Sequence, residues 1–233
     1  MNKKNANRIL LETESGYDLI SEKFSQTRKH FWRGLELIKD YTHDGDNVLD
    51  YGCGNGRLLE LVGDKDIQYY GADVSQELIN WAQKKYVGPN IKFSKLDPIQ
   101  STLAFEDNFF NTIYSIAVFH HFPSKKYRTD IARQLYRLTA DGGHVIVTVW
   151  YLWQRNYFKN ISRVWIQKLK GETELDWNDC MISFTDNEGK KFERFHHAFT
   201  KRELRRLFSN AGFKIERCSI PDGRNILLVG RKG

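Results

Sequence analysis

The sequence predicts an α/β protein: a three-layer, doubly wound sheet of seven mostly parallel strands, with an antiparallel strand from a C-terminal hairpin. Two observations predict this plan. From Asn47 onward, short apolar runs alternate with helical segments, as parallel β-α-β units require. The last two apolar runs are joined only by Pro221-Asp222-Gly223, too short for a crossover, so they form a hairpin.

The elements follow in order. Asn7 to Tyr41 reads mostly as helix, because Tyr17, Ile20 and Phe24 recur at helical spacing, as do Trp32, Leu35 and Ile38. Phe24-Ser25-Gln26-Thr27-Arg28 interrupts the pattern and predicts two helices or a bent one. Asp44-Gly45-Asp46 turns the chain into a buried strand at 47–50, and a glycine turn opens a helix over 57–62. A strand at 68–72 ends on Asp73, and Ser75 caps a helix reaching about Tyr86. Strands follow at 91–95 and 111–117. A helix over 125–138 stops at the turn Asp141-Gly142-Gly143, before a strand at 144–150. Thr200-Lys201-Arg202-Glu203 is a capping box for a helix to about Asn210, and the hairpin strands are 214–219 and 225–230.

Residues 1–233 read as one domain, long enough to enclose a full core. Residues 1–43 form an N-terminal helical cover. The stretch 151–199 exceeds an ordinary connection and, with Trp153, Trp165 and Trp177, reads as a folded insertion over the substrate side. No apolar run approaches the roughly 20 residues that cross a bilayer, and Met1 to Arg8 is polar and lysine-rich. A cytoplasmic protein with no membrane partner is expected. The net charge of +7 favours a polyanionic partner. Cys53, Cys180 and Cys218 lack finger spacing, so neither a disulfide framework nor a metal site is expected.

The glycine turn is Asp50-Tyr51-Gly52-Cys53-Gly54-Asn55-Gly56. Such turns bring backbone N–H groups close to a ligand at the end of a strand. A dinucleotide site needs G-x-G-x-x-G/A, but here the third position is Arg57, too large for close helix–strand contact. Asp50 would repel a pyrophosphate and suits a cationic amino-acid ligand. Asp73 and Asp97 close the next two strands, so three acids are expected around one crevice at the carboxyl ends.

These features resemble the class I S-adenosylmethionine-dependent methyltransferases, a Rossmann-like fold, over about Tyr17 to Arg231. The resemblance implies S-adenosyl-L-methionine as cofactor. Gly52, Gly54 and Asn55 would line its methionine part, Asp73 would hold the ribose and Asp97 the adenine. Ile116 and Ala117 would lie beneath the sulfonium, and Asp50, Cys53 and Val74 complete the expected cofactor set.

Four further motifs, taken in order, are similar to the tRNA wobble-uridine methyltransferases, which esterify a 5-carboxymethyl group in the anticodon. They are Tyr17-Asp18 through Phe24-Ser25-Gln26-Thr27-Arg28 with Trp32; Ala117-Val118-Phe119-His120-His121-Phe122; Val147-Thr148-Val149-Trp150; and Arg194-Phe195-His196-His197-Ala198-Phe199. The segment 156–191 matches nothing in that family, and Ala140-Asp141 replaces its more usual Arg-Pro or Lys-Pro. The resemblance implies tRNA as partner, and some eukaryotic relatives use a small activating subunit.

A carboxylate acceptor is already ionised near neutral pH and needs orientation more than a base. Arg28 is the expected orienting cation, because a guanidinium pairs bidentately with a carboxylate; it reads otherwise as a surface arginine. His120 and His121 would hydrogen-bond the acceptor or serve as base for a hydroxyl, or else simply pack. Trp150, Arg194, His196 and His197 are expected on the substrate side. Lys190 to Arg206 holds seven Lys or Arg against Glu193 and Glu203, interleaved with Phe192, Phe195 and Phe199, a pattern used for single-stranded RNA. Its plainer reading is a solvated helix face beside core aromatics. The alternative activity is a small-molecule carboxyl or O-methyltransferase; a cofactor-binding partner subunit is a third reading.

Overall fold

The structure is a computed structural model that describes residues 1–27, 34–100, 102–185, 188–189, 191–221 and 223–233. Nine strands form two sheets among them. β1 (Asn47–Tyr51), β2 (Gln68–Asp73), β3 (Ile91–Lys95), β4 (Phe110–Ile116), β5 (Thr139–Trp150), β8 (Lys214–Ser219) and β9 (Asn225–Arg231) build the large one. Its order is β3-β2-β1-β4-β5-β9-β8, parallel from β3 to β5, with β9 antiparallel to both β5 and β8. The chain winds outward from β1 to β3 and then restarts at β4 on the other side of β1. That reversal opens a crevice at the carboxyl ends of β1 and β4.

Neighbouring residues of a strand face opposite layers, so the sheet carries a core on each side. Leu49, Ile113, Val147 and Leu228 meet α4 (Lys125–Leu138) and α6 (Lys201–Ala211) through Leu135 and Phe208. Val48, Ile146, Leu227 and Val229 meet Leu35, Ile38 and Val62 on the other side. Val62 belongs to α2 (Leu59–Val62), shorter than the helix expected over 57–62. α3 (Gln76–Lys85) is capped by Ser75, whose hydroxyl accepts from the Leu78 N–H.

α1 (Lys3–Thr27) starts ahead of Asn7 and runs without a break through Phe24 to Thr27. The second half of the expected N-terminal helix is a short 3-10 turn, Glu36–Tyr41. Asp141-Gly142-Gly143, expected to end an element, lies inside β5. Gly142 has φ +77°, and a Cβ on Gly143 would stand 2.7 Å from the Asn111 carbonyl oxygen. Pairing with β4 shifts register there, so the glycines make a bulge and not a stop.

The stretch 151–199 folds as α5 (Arg155–Leu169) and a separate hairpin of β6 (Asp179–Thr185) with β7 (Lys191–His197). Leu152, Ile161, Cys180 and Ala198 form its small core, edged by Trp150, Trp153 and Trp165. Trp153 Nε1 donates to the Ala198 carbonyl at 3.1 Å. No helix among the described residues is long and apolar enough to cross a membrane.

Tyr114 ties the N-terminal region to the sheet from inside β4. Its hydroxyl donates to the Ile38 carbonyl at 2.8 Å and meets Thr42 Oγ1 at 2.7 Å, fully buried. Tyr114→Phe leaves both partners unsatisfied and is expected to cost about 1–3 kcal/mol in urea unfolding. An unchanged midpoint would mean that these groups find water instead.

Candidate active site

The crevice is a cleft of about 1020 Å³, part of it open to solvent. Its floor is the turn after β1. Gly52, Gly54 and Gly56 have φ of +80°, +54° and +75°, in the left-handed region that side chains disfavour. At Gly52 a Cβ would also sit 2.2 Å from Val118 Cγ2. The Gly52 and Cys53 N–H groups donate to the Ala72 carbonyl at 2.7 and 3.1 Å, folding the turn against the end of β2.

Asp73 locks that arrangement. One carboxylate oxygen accepts from the Gly54 N–H at 2.7 Å and the other from the Ser75 N–H at 2.9 Å. Asp50 accepts from the Tyr69 hydroxyl at 2.7 Å. Burial pushes Asp50 up to about 7, against that hydrogen bond, and the charge of Asp73 pushes the same way. Burial likewise lifts Asp73 to about 6, against its two N–H donors. Two buried carboxylates with raised pKa values in a cleft ask for a cation, which a sulfonium and an α-ammonium supply.

At the end of β4, Ala117 has φ +62°. Its N–H is shared between the Thr148 carbonyl and hydroxyl at 2.9 and 3.0 Å, which holds the unfavourable conformation at the cleft wall. A 3-10 turn, Phe119–His121, follows and carries the histidines. His121 Nδ1 is 3.0 Å from the Phe195 carbonyl, so it bears the proton, and Nε2 accepts from the Tyr17 hydroxyl at 2.8 Å. Burial and then Arg194 push His121 down to about 3, so it is neutral. Both its nitrogens are engaged. His120 Nδ1 accepts from the Trp150 N–H at 3.3 Å, which puts its proton on Nε2, a buried atom without a protein partner.

Arg194 on β7 lines the same cleft and is 6% exposed. Its guanidinium lies over Phe184, Trp150 and Tyr17 at 4.8, 5.7 and 5.9 Å from the ring centroids. No carboxylate pairs with it among the described residues, and its Nε is unsatisfied.

Of the expected cofactor residues, Asp50, Gly52, Cys53, Gly54, Asn55, Asp73, Val74, Ile116 and Ala117 line the cleft. Asp97 does not: it is exposed, its carboxylate accepts the Ile99 N–H at 2.9 Å as a turn former, and Leu96 lines the wall instead. His120, His121, Trp150 and Arg194 line the same cleft. His196 stands behind that wall, its ring parallel to His120 at 5.2 Å and stacked on Trp150 at 5.2 Å. Arg28 lies outside the described residues.

Expectation and structure part at His197. It points away from the cleft, with Nδ1 2.7 Å from Asp179 and Nε2 2.8 Å from Glu203. Burial disfavours its charge, but the two acids outweigh it and raise its pKa. Glu203 is thereby drawn away from its capping box, of which only the Thr200 half forms. The aromatics of the basic stretch also leave the expected strip: Phe195 and Phe199 are core residues, and Phe192 packs on Gly16. Tyr17, Phe24 and Thr13 of α1 line the cleft, a role hidden in the sequence because Tyr17, Ile20 and Phe24 share the spacing of an ordinary core face.

His120, His121 and His196 bring nitrogens within 4.8 Å of one another. The proton on His120 Nε2 and the adjacent Arg194 cation make this a poor metal seat.

The fold and the acid-lined glycine cleft define a Rossmann-like enzyme that uses S-adenosylmethionine. Residues 23–217 match the model of the methyltransferase domain family, and the chain belongs to that family. It is similar to a Schizosaccharomyces pombe tRNA (carboxymethyluridine(34)-5-O)-methyltransferase, 28% identical over 207 residues that cover 85% of this chain and 87% of that protein. The Arabidopsis thaliana protein of the same name is 32% identical over 134 residues, 58% of this chain but 31% of its own length. Among solved structures, a Methanosarcina mazei SAM-dependent methyltransferase shares the fold with TM-score 0.70 at 21% identity, covering 87% of this chain and 98% of that one. A chain of the complex between the Haloferax volcanii Trm112 methyltransferase activator and its methyltransferase gives TM-score 0.66 at 16% identity, covering 94% and 96%.

Two predictions follow from the buried charges. Affinity for S-adenosylmethionine is expected to rise about tenfold as pH increases through 6 to 7, because Asp73 and Asp50 ionise there. Their raised pKa values make the unliganded fold lose stability over the same interval, so the melting-point gain from cofactor should grow; a flat calorimetric profile from pH 5.5 to 8.5 contradicts this. Second, His197→Gln should cost about 3–5 kcal/mol by leaving Asp179 buried without its cation. Since the His197 pKa is raised, its share of stability is full below about 6.5 and fades as pH climbs through the folded value. The gap between wild type and variant in thermal unfolding should therefore narrow toward high pH.

Proposed function

We propose that the chain transfers a methyl group to the carboxylate of a 5-carboxymethyl uridine at the wobble position of tRNA, forming a methyl ester. The buried Arg194 guanidinium, facing the cleft without an acid of its own, carries this reading. A buried unpaired cation is costly, and a substrate carboxylate relieves it. The similarity to proteins named for this reaction supports the same acceptor.

S-Adenosylmethionine, when bound, supplies an electrophilic methyl on sulfur. Asp73 takes the ribose hydroxyls and Asp50 favours the cationic amino-acid end. Arg194 orients the acceptor carboxylate, and the His120 Nε2–H is placed to donate to the substrate. His121 is held neutral between Tyr17 and the Phe195 carbonyl and has no free lone pair to accept a proton. That lock suits an acceptor which has no proton to lose, and disfavours a hydroxyl that needs a base. Arg28 is proposed as a second grip on the carboxylate. Residues 1–43 and 151–199 act as covers over the site, to which they contribute Tyr17 and Arg194. Action on tRNA places the enzyme in the cytoplasm, and a small activating subunit is proposed by analogy with the Haloferax complex.

The test is incubation with labelled S-adenosylmethionine and tRNA bearing carboxymethyluridine, followed by digestion to nucleosides. Label in an alkali-labile wobble nucleoside is expected. Turnover on small acids with none on tRNA would falsify the assignment. Arg194→Gln should lower kcat/KM by about 10- to 150-fold, from the loss of charge-assisted hydrogen bonds, with cofactor affinity within about twofold. Equal losses in both would place Arg194 on the cofactor.

A further inference from the structure

Helix α5 contains no Asp or Glu. Arg155, Lys159 and Arg163 recur at four-residue steps, hence on one face, and all three are exposed. No ion pair reaches them among the described residues. Like charges at that spacing destabilise a helix, and no acid among the described residues pairs with them. The opposite face is anchored by buried Ile161 and Val164, so the cations are presented on an ordered support.

Beside the cation stripe lies a second exposed feature. Phe158 is 53% exposed and Ile166 55%, and the Phe158 ring is held edge-to-face with Trp165, centroids 5.8 Å apart. An exposed aromatic next to cations without an acidic partner matches the needs of single-stranded nucleic acid: charges for phosphates, a ring face for a base. The helix also begins five residues after Trp150. Trp150 lines the cleft wall, and Gln154 then pins the first turn by donating to the Tyr151 and Gly223 carbonyls at 2.6 and 3.0 Å. Through Trp153 and Ala198 the same corner leads to α6, whose Lys201, Arg202, Arg205 and Arg206 are exposed.

We propose that the outer face of α5 docks the RNA backbone that delivers the acceptor base to the cleft. Arg155, Lys159 and Arg163 meet phosphates there, and Phe158 stacks on an unpaired base. The proposal rests on the tRNA reading above. A basic helix with apolar neighbours also suits an anionic membrane. RNA is favoured because a carboxylate that reaches Arg194 on a nucleobase arrives attached to a polyanion, and α5 begins five residues after Trp150 of the cleft wall.

The experiment titrates the full chain with a labelled anticodon stem-loop RNA over a range of salt, comparing wild type with Arg155→Gln/Lys159→Gln/Arg163→Gln. The variant should bind at least tenfold more weakly near 0.1 M salt, and its log–log salt slope should shrink by about 2, at about 0.7 per single-strand phosphate contact. Cofactor affinity should stay unchanged, which checks the fold. Arg155→Lys/Arg163→Lys should keep the slope, and Phe158→Ala should lose affinity without altering it. If wild type methylates tRNA but the triple variant keeps slope and affinity, α5 docking is overturned and the tRNA reading stands. If wild type neither binds nor methylates RNA, both fall. If the triple substitution abolishes binding to phosphatidylserine vesicles and leaves RNA binding intact, the face belongs to a membrane and the proposal is overturned.

Discussion

The Asp73 carboxylate is the constraint on which the rest of the site depends. A single group at the end of β2 accepts from the glycine turn after β1 and from the first residues leading to α3. It thus fixes two loops that no strand pairing reaches, at the place where the sheet order reverses. Of the three left-handed glycines in that turn, Gly54 donates to this carboxylate, while Gly52 donates to the Ala72 carbonyl and Gly56 to the Cys53 carbonyl. Burial of the same acid raises its pKa, against the pull of the two N–H donors that it organises.

The second half of the site is assembled from distant parts of the chain. The sheet supplies a cofactor floor common to many methyltransferases, whereas α1 and β7 supply Tyr17 and Arg194. The Asp179–His197–Glu203 chain of hydrogen bonds joins the inserted hairpin to α6 of the main fold. Because residues alternate along β7, turning His197 toward these acids puts Arg194 and His196 on the other face, with Arg194 lining the cleft and His196 stacked behind its wall. One anchored side chain therefore agrees with the β6–β7 register that puts Arg194 in the cleft wall.

The succession of strands and helices, the hairpin and the glycine turn were legible in the sequence, because each depends on local periodicity or on a residue type with one conformational role. Ser75 and Thr200 behaved as caps for the same reason. The helix over 125–138 ends at Leu138 as expected, but Gly142-Gly143, read as a turn ahead of the strand, is a bulge inside it, which only the pairing with β4 reveals. Asp97 had the position of a ligand residue but turned to its own backbone, as aspartates after strands often do. The partners of Arg194 and His197 were out of reach, because the alternation that sorts them is visible only once β6 is paired with β7.

Gly16 occupies the middle of α1, where glycine weakens a helix, and a Cβ there would stand 2.4 Å from the Phe192 ring. The first helix therefore docks against a side chain made after strands β1 to β5. While the ribosome is still extending the chain, α1 can reach α3 through Asp18 and Ser75 but has no hairpin to close against. The N-terminal wall of the cleft is thus completed late, after the sheet strands β1 to β5 have left the exit tunnel. A nascent chain stalled before residue 191 would hold a nearly complete cofactor floor with one side open.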